Sequence, residues 1–243
     1  MGFEILQNAV FISDAHANTN KQNFTKWLVL VSQTQPKFSQ IFLMGDMFDF
    51  LSDMTYVKDF YAKEIELINK LSQIYEIFYF EGNHDFNLSK IFPKVRVFSI
   101  VEQPVKFSSK AGDIFLAHGD KHVPLISKIF MLSLRNKTFL KFMDRVDRCL
   151  NFRILKAILN SQKSKILYKK HLNFRLLIEK KLKFYNSKYI IEGHYHQDEI
   201  LKFNETEYIN LNSFEVIPKI YIAEFNSFGL NLAPFEYNEL KKD

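Results

Sequence analysis

Short apolar runs recur along the chain, and each is closed by a polar cluster. Ala9–Ser13 leads into Asp14-Ala15-His16, Gln40–Met44 into Gly45-Asp46, and Ile77–Glu81 into Gly82-Asn83-His84-Asp85. Ile114–Ala117 leads into His118-Gly119-Asp120, and Tyr189–Glu192 into Gly193-His194-Tyr195-His196. The runs are short and rich in aromatic and β-branched residues, which predicts buried strands. Amphipathic stretches at about residues 22–33 and 57–73 predict helices between the early strands. More strands are expected near 200–203, 207–210 and 220–225. Polar motifs at the carboxyl ends of successive strands describe an α/β sheet with its site on one rim.

Between Asp120 and Glu192 the pattern changes. That stretch holds no glycine and one proline, Pro124. Apolar residues recur there at helical spacing, as in Ile126, Ile129, Phe130, Leu132 and Leu134, or Phe139, Phe142, Met143, Val146 and Leu150. Several helices are expected, forming a cap at about 119–189 inserted into a core of residues 1–118 and 190–243. Charge follows the same division. The net charge is +6, but residues 119–189 hold 18 Lys and Arg against 4 Asp and Glu, whereas the remainder holds 15 against 23. A basic module sits inside an acidic one, and the two are expected to do different work.

Composition narrows the class. A chain of 243 residues with 47% hydrophobic and 25% charged residues is ordinary for a globular domain and excludes a disordered tail. No apolar stretch approaches the roughly 18 residues of a membrane-spanning helix. The first residues, MGFEILQNAVFISD, lack a basic segment followed by an apolar core, so a cytoplasmic location is expected. One cysteine, Cys149, excludes an intrachain disulfide framework and a cysteine metal cluster. The chain has only seven glycines and seven histidines, yet four of the glycines and five of the histidines fall in the polar motifs. A chain poor in glycine places it where the backbone turns tightly or approaches a ligand.

The residue types in those motifs suit a two-metal site. Asp14 and His16 lie one residue apart, on the same side of an extended strand end, and His194 and His196 repeat that spacing. A carboxylate such as Asp46 can bridge two cations, while Asn83 and His118 add neutral donors. Mixed nitrogen and oxygen ligands favour Mn²⁺, Fe²⁺ or Zn²⁺ over Mg²⁺ or Ca²⁺.

The ordered series DAH, GDMFD, GNHD, HGD and GHYH, spanning residues 14–196, resembles the calcineurin-like metallophosphoesterases. The resemblance implies an α/β fold, a four-layer αββα sandwich with a helical cap insertion. It assigns Asp14, His16, Asp46 and His196 to one divalent metal ion, and Asp46, Asn83, His118 and His194 to the other. His84 then faces the phosphate and is oriented by Asp85, and Asp49 supports a ligand without being one. Two such cations activate water and neutralise phosphoryl oxygens in the transition state.

The place and size of the insertion, with GDMFDF and GNHDF, resemble one subfamily in particular. It splits the pyrophosphate of UDP-2,3-diacylglucosamine into UMP and 2,3-diacylglucosamine 1-phosphate in lipid A biosynthesis, and Mn²⁺ is the metal implied. His122, Arg153, Asn160, Ser161 and Lys165, together with Asn83 and His194, are then expected to contact this acylated sugar nucleotide. The basic, apolar cap also implies peripheral attachment to the anionic surface of the inner membrane. This chain carries His84 where that subfamily carries arginine, and Gln197-Asp198 where it carries Arg-Pro. The alternative is a metal-dependent phosphodiesterase or nuclease, because a basic module beside two metals also suits nucleic acid.

Overall fold

The computed structural model describes residues 2–120, 133–227 and 229–236. Its strands are β1 (Phe3–Glu4), β2 (Val10–Ile12), β3 (Gln40–Leu43), β4 (Glu76–Phe80), β5 (Arg96–Phe98) and β6 (Val105–Ser108). They continue as β7 (Ile114–Ala117), β8 (Tyr189–Glu192), β9 (Glu199–Phe203), β10 (Thr206–Asn210), β11 (Lys219–Asn226) and β12 (Gly229–Glu236). The helices among the described residues are α1 (Asn23–Thr34), α2 (Thr55–Phe60), α3 (Ala62–Leu71), α4 (Lys137–Cys149), α5 (Arg153–Gln162) and α6 (Phe174–Leu182).

Two six-stranded sheets form, in the orders β1-β6-β7-β8-β10-β9 and β12-β11-β2-β3-β4-β5. Strands β2 to β5 run parallel, as do β7, β8 and β10. The near-continuous apolar sequences of β2, β3, β4, β7 and β8 follow from burial on both faces. In β3, Ile41 and Leu43 point toward α1 and α3, packing with Trp27, Val31, Ile68 and Leu71. Phe42, between them, points into the seam between the sheets with Phe11, Phe78, Phe107, Leu116 and Ile191. Its ring stacks on Phe11 and Phe78 at 4.5 and 4.8 Å and meets Phe107 of the facing sheet edge-on at 5.4 Å. Large aromatic side chains thus fill the ~10 Å between packed sheets.

The fourth layer comes from the segment expected to be a cap. Phe174 and Ile178 of α6 lie on Ile190, Leu201 and Tyr208, covering the outer face of the first sheet. Helices α4 and α5 instead join the opposite side, where Leu140, Leu155 and Leu159 enter the cluster that holds Phe48, Leu51 and Met54. The segment therefore does two jobs. One helix completes the sandwich, and two pack beside the loops that follow β3 and β4.

The amphipathic face of α4 differs from the expected one. Phe139, Phe142 and Leu150 are exposed, while Asp144 and Asp147 are buried. Both carboxylates are needed as acceptors. Asp144 takes the Thr55 N–H at 2.8 Å, and Asp147 takes the N–H groups of Ile154 and Leu155 at the start of α5. Capping of neighbouring helix ends outweighs apolar periodicity there. The expected helix at 57–73 is two helices meeting at Tyr61. Ile126, Ile129, Phe130 and Leu132 lie outside the described residues.

Candidate metal centre

The carboxyl ends of β2, β3, β4, β7 and β8 share one rim, and their loops are stitched to one another. Asp14 N–H donates to the Gly45 carbonyl at 3.0 Å, and His16 N–H to the Asp46 carbonyl at 2.9 Å. His84 N–H donates to Asp46 Oδ1 at 2.8 Å, and His194 N–H to Asp14 Oδ2 at 2.9 Å. Asp14, His16, Asp46, His194 and His196 all adopt positive φ, between 46° and 66°. Left-handed backbone costs about 1–2 kcal/mol for such residues, and it turns their side chains toward one point. Two glycines answer to this crowding. A Cβ on Gly82 would lie 2.2 Å from Asp46 Oδ1, and one on Gly193 would lie 2.4 Å from Asp14 Oδ2.

Two clusters result. Asp14, His16 and His196 each present a donor atom within 4.8 Å of the others, and so do Asp46, His118 and His194. Asp46 also groups with His16 and His84, so its carboxylate lies between the two clusters. Asn83 stands between Gly82 and His84, which both abut Asp46 Oδ1. Its own Oδ1 is buried without a hydrogen-bond partner.

The donor chemistry fits divalent cations. His118 Nδ1 faces the Met44 carbonyl at 2.9 Å, and His196 Nδ1 faces the Leu167 carbonyl. A carbonyl only accepts, so each Nδ1 carries the hydrogen and Nε2 is left as a lone pair. Those lone pairs point at carboxylates: His196 Nε2 lies 3.0 Å from Asp14 Oδ1, and His118 Nε2 lies 3.4 Å from Asp46 Oδ2. Two acceptors at that separation need a cation or a proton between them. His118 Nε2 is buried without a hydrogen-bond partner, as a metal ligand would be. Burial would lower His118 and His196, but the Asp46 and Asp14 carboxylates raise both imidazoles above the ordinary value. Burial likewise opposes ionisation of Asp14, yet His196 holds it down at about 2. Burial and the neighbouring His118 push His194 down to about 3.

Support for these side chains comes from Asp49, in the role the resemblance implies, and from Lys21, which the sequence pattern does not single out. Asp49 accepts from Asn18, lies 3.3 Å from Lys21 Nζ and lies 3.4 Å from His16 Nδ1. Lys21 also donates to the Gln162 carbonyl at 3.0 Å, tying the end of α5 to the rim. Asp85 does not orient His84. Its oxygens accept from the N–H groups of Asp46, Gly82 and Met47 and from Tyr79 Oη, at 2.6 to 3.0 Å. It organises two loops, and His84 is held instead by donation from Nδ1 to the Asp49 carbonyl at 2.7 Å.

Of the polar residues expected to meet substrate, Lys165 reaches the rim, with Nζ 3.2 Å from His84 Nε2. Ser161 is exposed and donates to the Ile158 carbonyl within α5. Asn160 is an exposed residue near the end of α5, and Arg153 begins that helix about 10 Å away along its axis. His122 lies outside the described residues.

The Calcineurin-like phosphoesterase family profile matches residues 8–198. The chain is also similar to the UDP-2,3-diacylglucosamine hydrolase of Coxiella burnetii, at 23% identity over 87% of this chain and 99% of that one. The enzyme of the same name from Haemophilus influenzae is 21% identical over 80% and 85% of the respective chains. Among solved structures, an archaeal phosphodiesterase aligns over 94% of this chain and 99% of its own, with TM-score 0.44 and 11% identity. With the profile covering most of the sequence and every polar strand-end motif, the chain belongs to the calcineurin-like phosphoesterases and is a metal-dependent hydrolase.

Proposed function

We propose that this protein binds two divalent cations, Mn²⁺ by preference, and hydrolyses the pyrophosphate bond of UDP-2,3-diacylglucosamine to UMP and 2,3-diacylglucosamine 1-phosphate. The observation that carries the reading is the pair of clusters meeting at Asp46, with histidine lone pairs turned toward carboxylates. Asp14, His16, Asp46 and His196 hold one cation; Asp46, Asn83, His118 and His194 hold the other. When bound, such cations activate water and offset charge on a phosphoryl group. The chain does the rest. Met44 and Leu167 carbonyls fix the histidine tautomers, Asp49 steadies His16, and Lys165 brings its ammonium to His84. Because His84 donates from Nδ1 and offers Nε2 to Lys165, the ammonium is the cation that meets substrate phosphate there.

Relatives named for the same substrate over most of the chain support the choice of substrate. The surface around residues 163–177 supports it too. Ile166 and Leu172 are 85% and 93% exposed beside Lys163, Lys169 and Lys170, a mixture suited to acyl chains and phosphates. Among the described residues no helix is long and apolar enough to cross a membrane. We assign the basic, apolar segment to reversible contact with an anionic bilayer at the inner membrane. Each Lys or Arg near such a surface contributes about 1 kcal/mol. Sedimentation with anionic vesicles at low salt, little with zwitterionic ones, and release as the Debye length falls below about 8 Å are expected. Equal sedimentation with both lipids contradicts the electrostatic part.

The metal assignment has its own test in pH. A raised imidazole pKa in the metal-free fold contributes stability below the unfolded value of 6.5, and that contribution is lost as pH rises through the folded value. Cations displace those protons, so apparent affinity rises about tenfold per pH unit for each proton displaced. The gain in melting temperature on adding Mn²⁺ is therefore expected to grow between about pH 6 and 8. A gain that is flat over this range contradicts ligation by His118 and His196.

A further inference from the structure

Beneath the second cluster lies a buried ion pair that none of the strand-end motifs contains. Glu192 ends β8 at 0% exposure, one residue before Gly193-His194. Lys181, on α6 and 5% exposed, lies with Nζ 2.5 Å from Glu192 Oε2. The same ammonium donates to the Gly119 carbonyl at 2.7 Å, one residue after His118. Two phenols complete the shell of Glu192: Tyr208 Oη donates to Oε2 at 2.7 Å, and Tyr185 Oη donates to Oε1. Burial and the carboxylate raise the pKa of both phenols, so they remain donors. The Lys181 ammonium also sits 5.1 Å from the centre of the Tyr195 ring, which meets the His194 ring at 4.9 Å.

One side chain from the outer helical layer therefore touches both loops that deliver histidines to the same cluster. A buried carboxylate and a buried ammonium are costly unless paired and hydrogen-bonded, and a well-packed apolar pair would serve stability as well. Here the pair spans a seam. It fixes the Gly119 carbonyl relative to Glu192, and so fixes the spacing of His118 and His194, whose rings lie 5.2 Å apart.

We propose that Lys181 and Glu192 are positioning residues for the metal site formed by Asp46, Asn83, His118 and His194, with the outer helix α6 setting the distance between its two histidines. The inference rests on the two-metal reading given above. Loss of partners that orient metal ligands weakens affinity about 10–100-fold.

The test is metal binding by purified, metal-free protein, titrated with Mn²⁺ and with Co²⁺, whose absorption reports coordination. Folding is followed by circular dichroism and thermal melting. Lys181→Met leaves a buried carboxylate unpaired and is expected to destabilise the fold. The double variant Lys181→Met/Glu192→Gln removes both charges, keeps an acceptor for the tyrosines and carries the decision. It is expected to fold, to bind one cation with wild-type affinity, and to bind the second at least about tenfold more weakly with an altered Co²⁺ spectrum. Lys181→Arg, which keeps the charge and the donors, is expected to recover most of that loss. Lower melting temperatures with two unchanged binding steps and an unchanged spectrum would overturn the proposal and leave the pair purely structural. Wild-type protein that fails to bind two cations would refute the metal reading itself, a different result from unaltered binding in the variants.

Discussion

Asp46→Ala is expected to abolish hydrolysis, lowering kcat by roughly 10³-fold or more, whereas Asp49→Ala lowers it only about 10–100-fold. The two carboxylates are three residues apart in GDMFD but do different work. Asp46 lies where the two clusters meet, grouped with His118 and His194 on one side and with His16 and His84 on the other. Its removal takes a donor from both cations. Each cation lowers the barrier by several kcal/mol, and each 1.36 kcal/mol is a factor of ten in rate. Asp49 instead touches His16, Lys21 and Asn18 and only steadies one ligand. Metal analysis should accompany the kinetics. Asp46→Ala is expected to lose metal, and Asp49→Ala to keep most of it with weaker binding at one site. Equal losses in the two variants at full metal content would contradict the bridging position of Asp46.

The parts of this site that could be read from the sequence are those with short-range signatures. Strand-end motifs place a donor within a few residues of a buried run, and Asp14, His16, Asp46, Asn83, His118, His194 and His196 share that placement. Parallel strands then bring the motifs to one rim without further instruction. The core strands β2, β3, β4, β7 and β8 were visible because burial on both faces leaves an apolar run. The edge strands β1 and β5 and the strand β6, next to an edge, were not, since they are two to four residues long and carry Glu4, Arg96 and Lys106. What stayed hidden depends on contacts between distant segments. Asp85 follows His84 in sequence, yet its carboxylate is committed to the N–H groups of Asp46, Gly82 and Met47. Lys21 and Lys181 gave no local sign of burial. Glu192 did give one, as an acid closing the apolar strand YIIE, where a charge requires a partner. The apolar spacing of Phe139, Phe142, Met143, Val146 and Leu150 marked a helix, but only Met143 of these packs on the core cluster, while Phe139, Phe142 and Leu150 stay exposed because Asp144 and Asp147 are drawn inward as caps.

The second large effect is expected at Lys165. Sequence resemblance places a cation at position 84, where the lipid A subfamily has arginine and this chain has histidine. The structure puts an ammonium beside that histidine, 3.2 Å from its Nε2, and the Asp49 carbonyl takes the hydrogen on Nδ1. The proposed function therefore takes the charge that meets phosphate from the segment after α5 and not from the β4 loop. Lys165→Met is expected to reduce kcat/KM by about 10²–10³-fold, the scale of removing one preorganised donor from a developing oxyanion. Metal content should not change, since Lys165 contacts His84 and none of the proposed ligands. Adding His84→Arg to that variant restores a guanidinium at the same place and is expected to recover at least about tenfold. His84→Arg alone places two cations side by side and should improve nothing. The decisive comparison is the double-variant cycle on the lipid substrate at saturating Mn²⁺. Strictly additive losses, with no recovery in the double variant, would show that Lys165 and His84 do not share a phosphate.

The bond that is broken decides the account most directly. Metal-free protein is reloaded with Mn²⁺ and incubated with UDP-2,3-diacylglucosamine in mixed micelles, and the products are identified by mass spectrometry. The expected products are UMP and 2,3-diacylglucosamine 1-phosphate, formed only with metal and lost in Asp46→Ala. Recovery of UDP with the free acylated sugar, or intact substrate under conditions where single-stranded DNA or bis-nitrophenyl phosphate is cleaved, would contradict it.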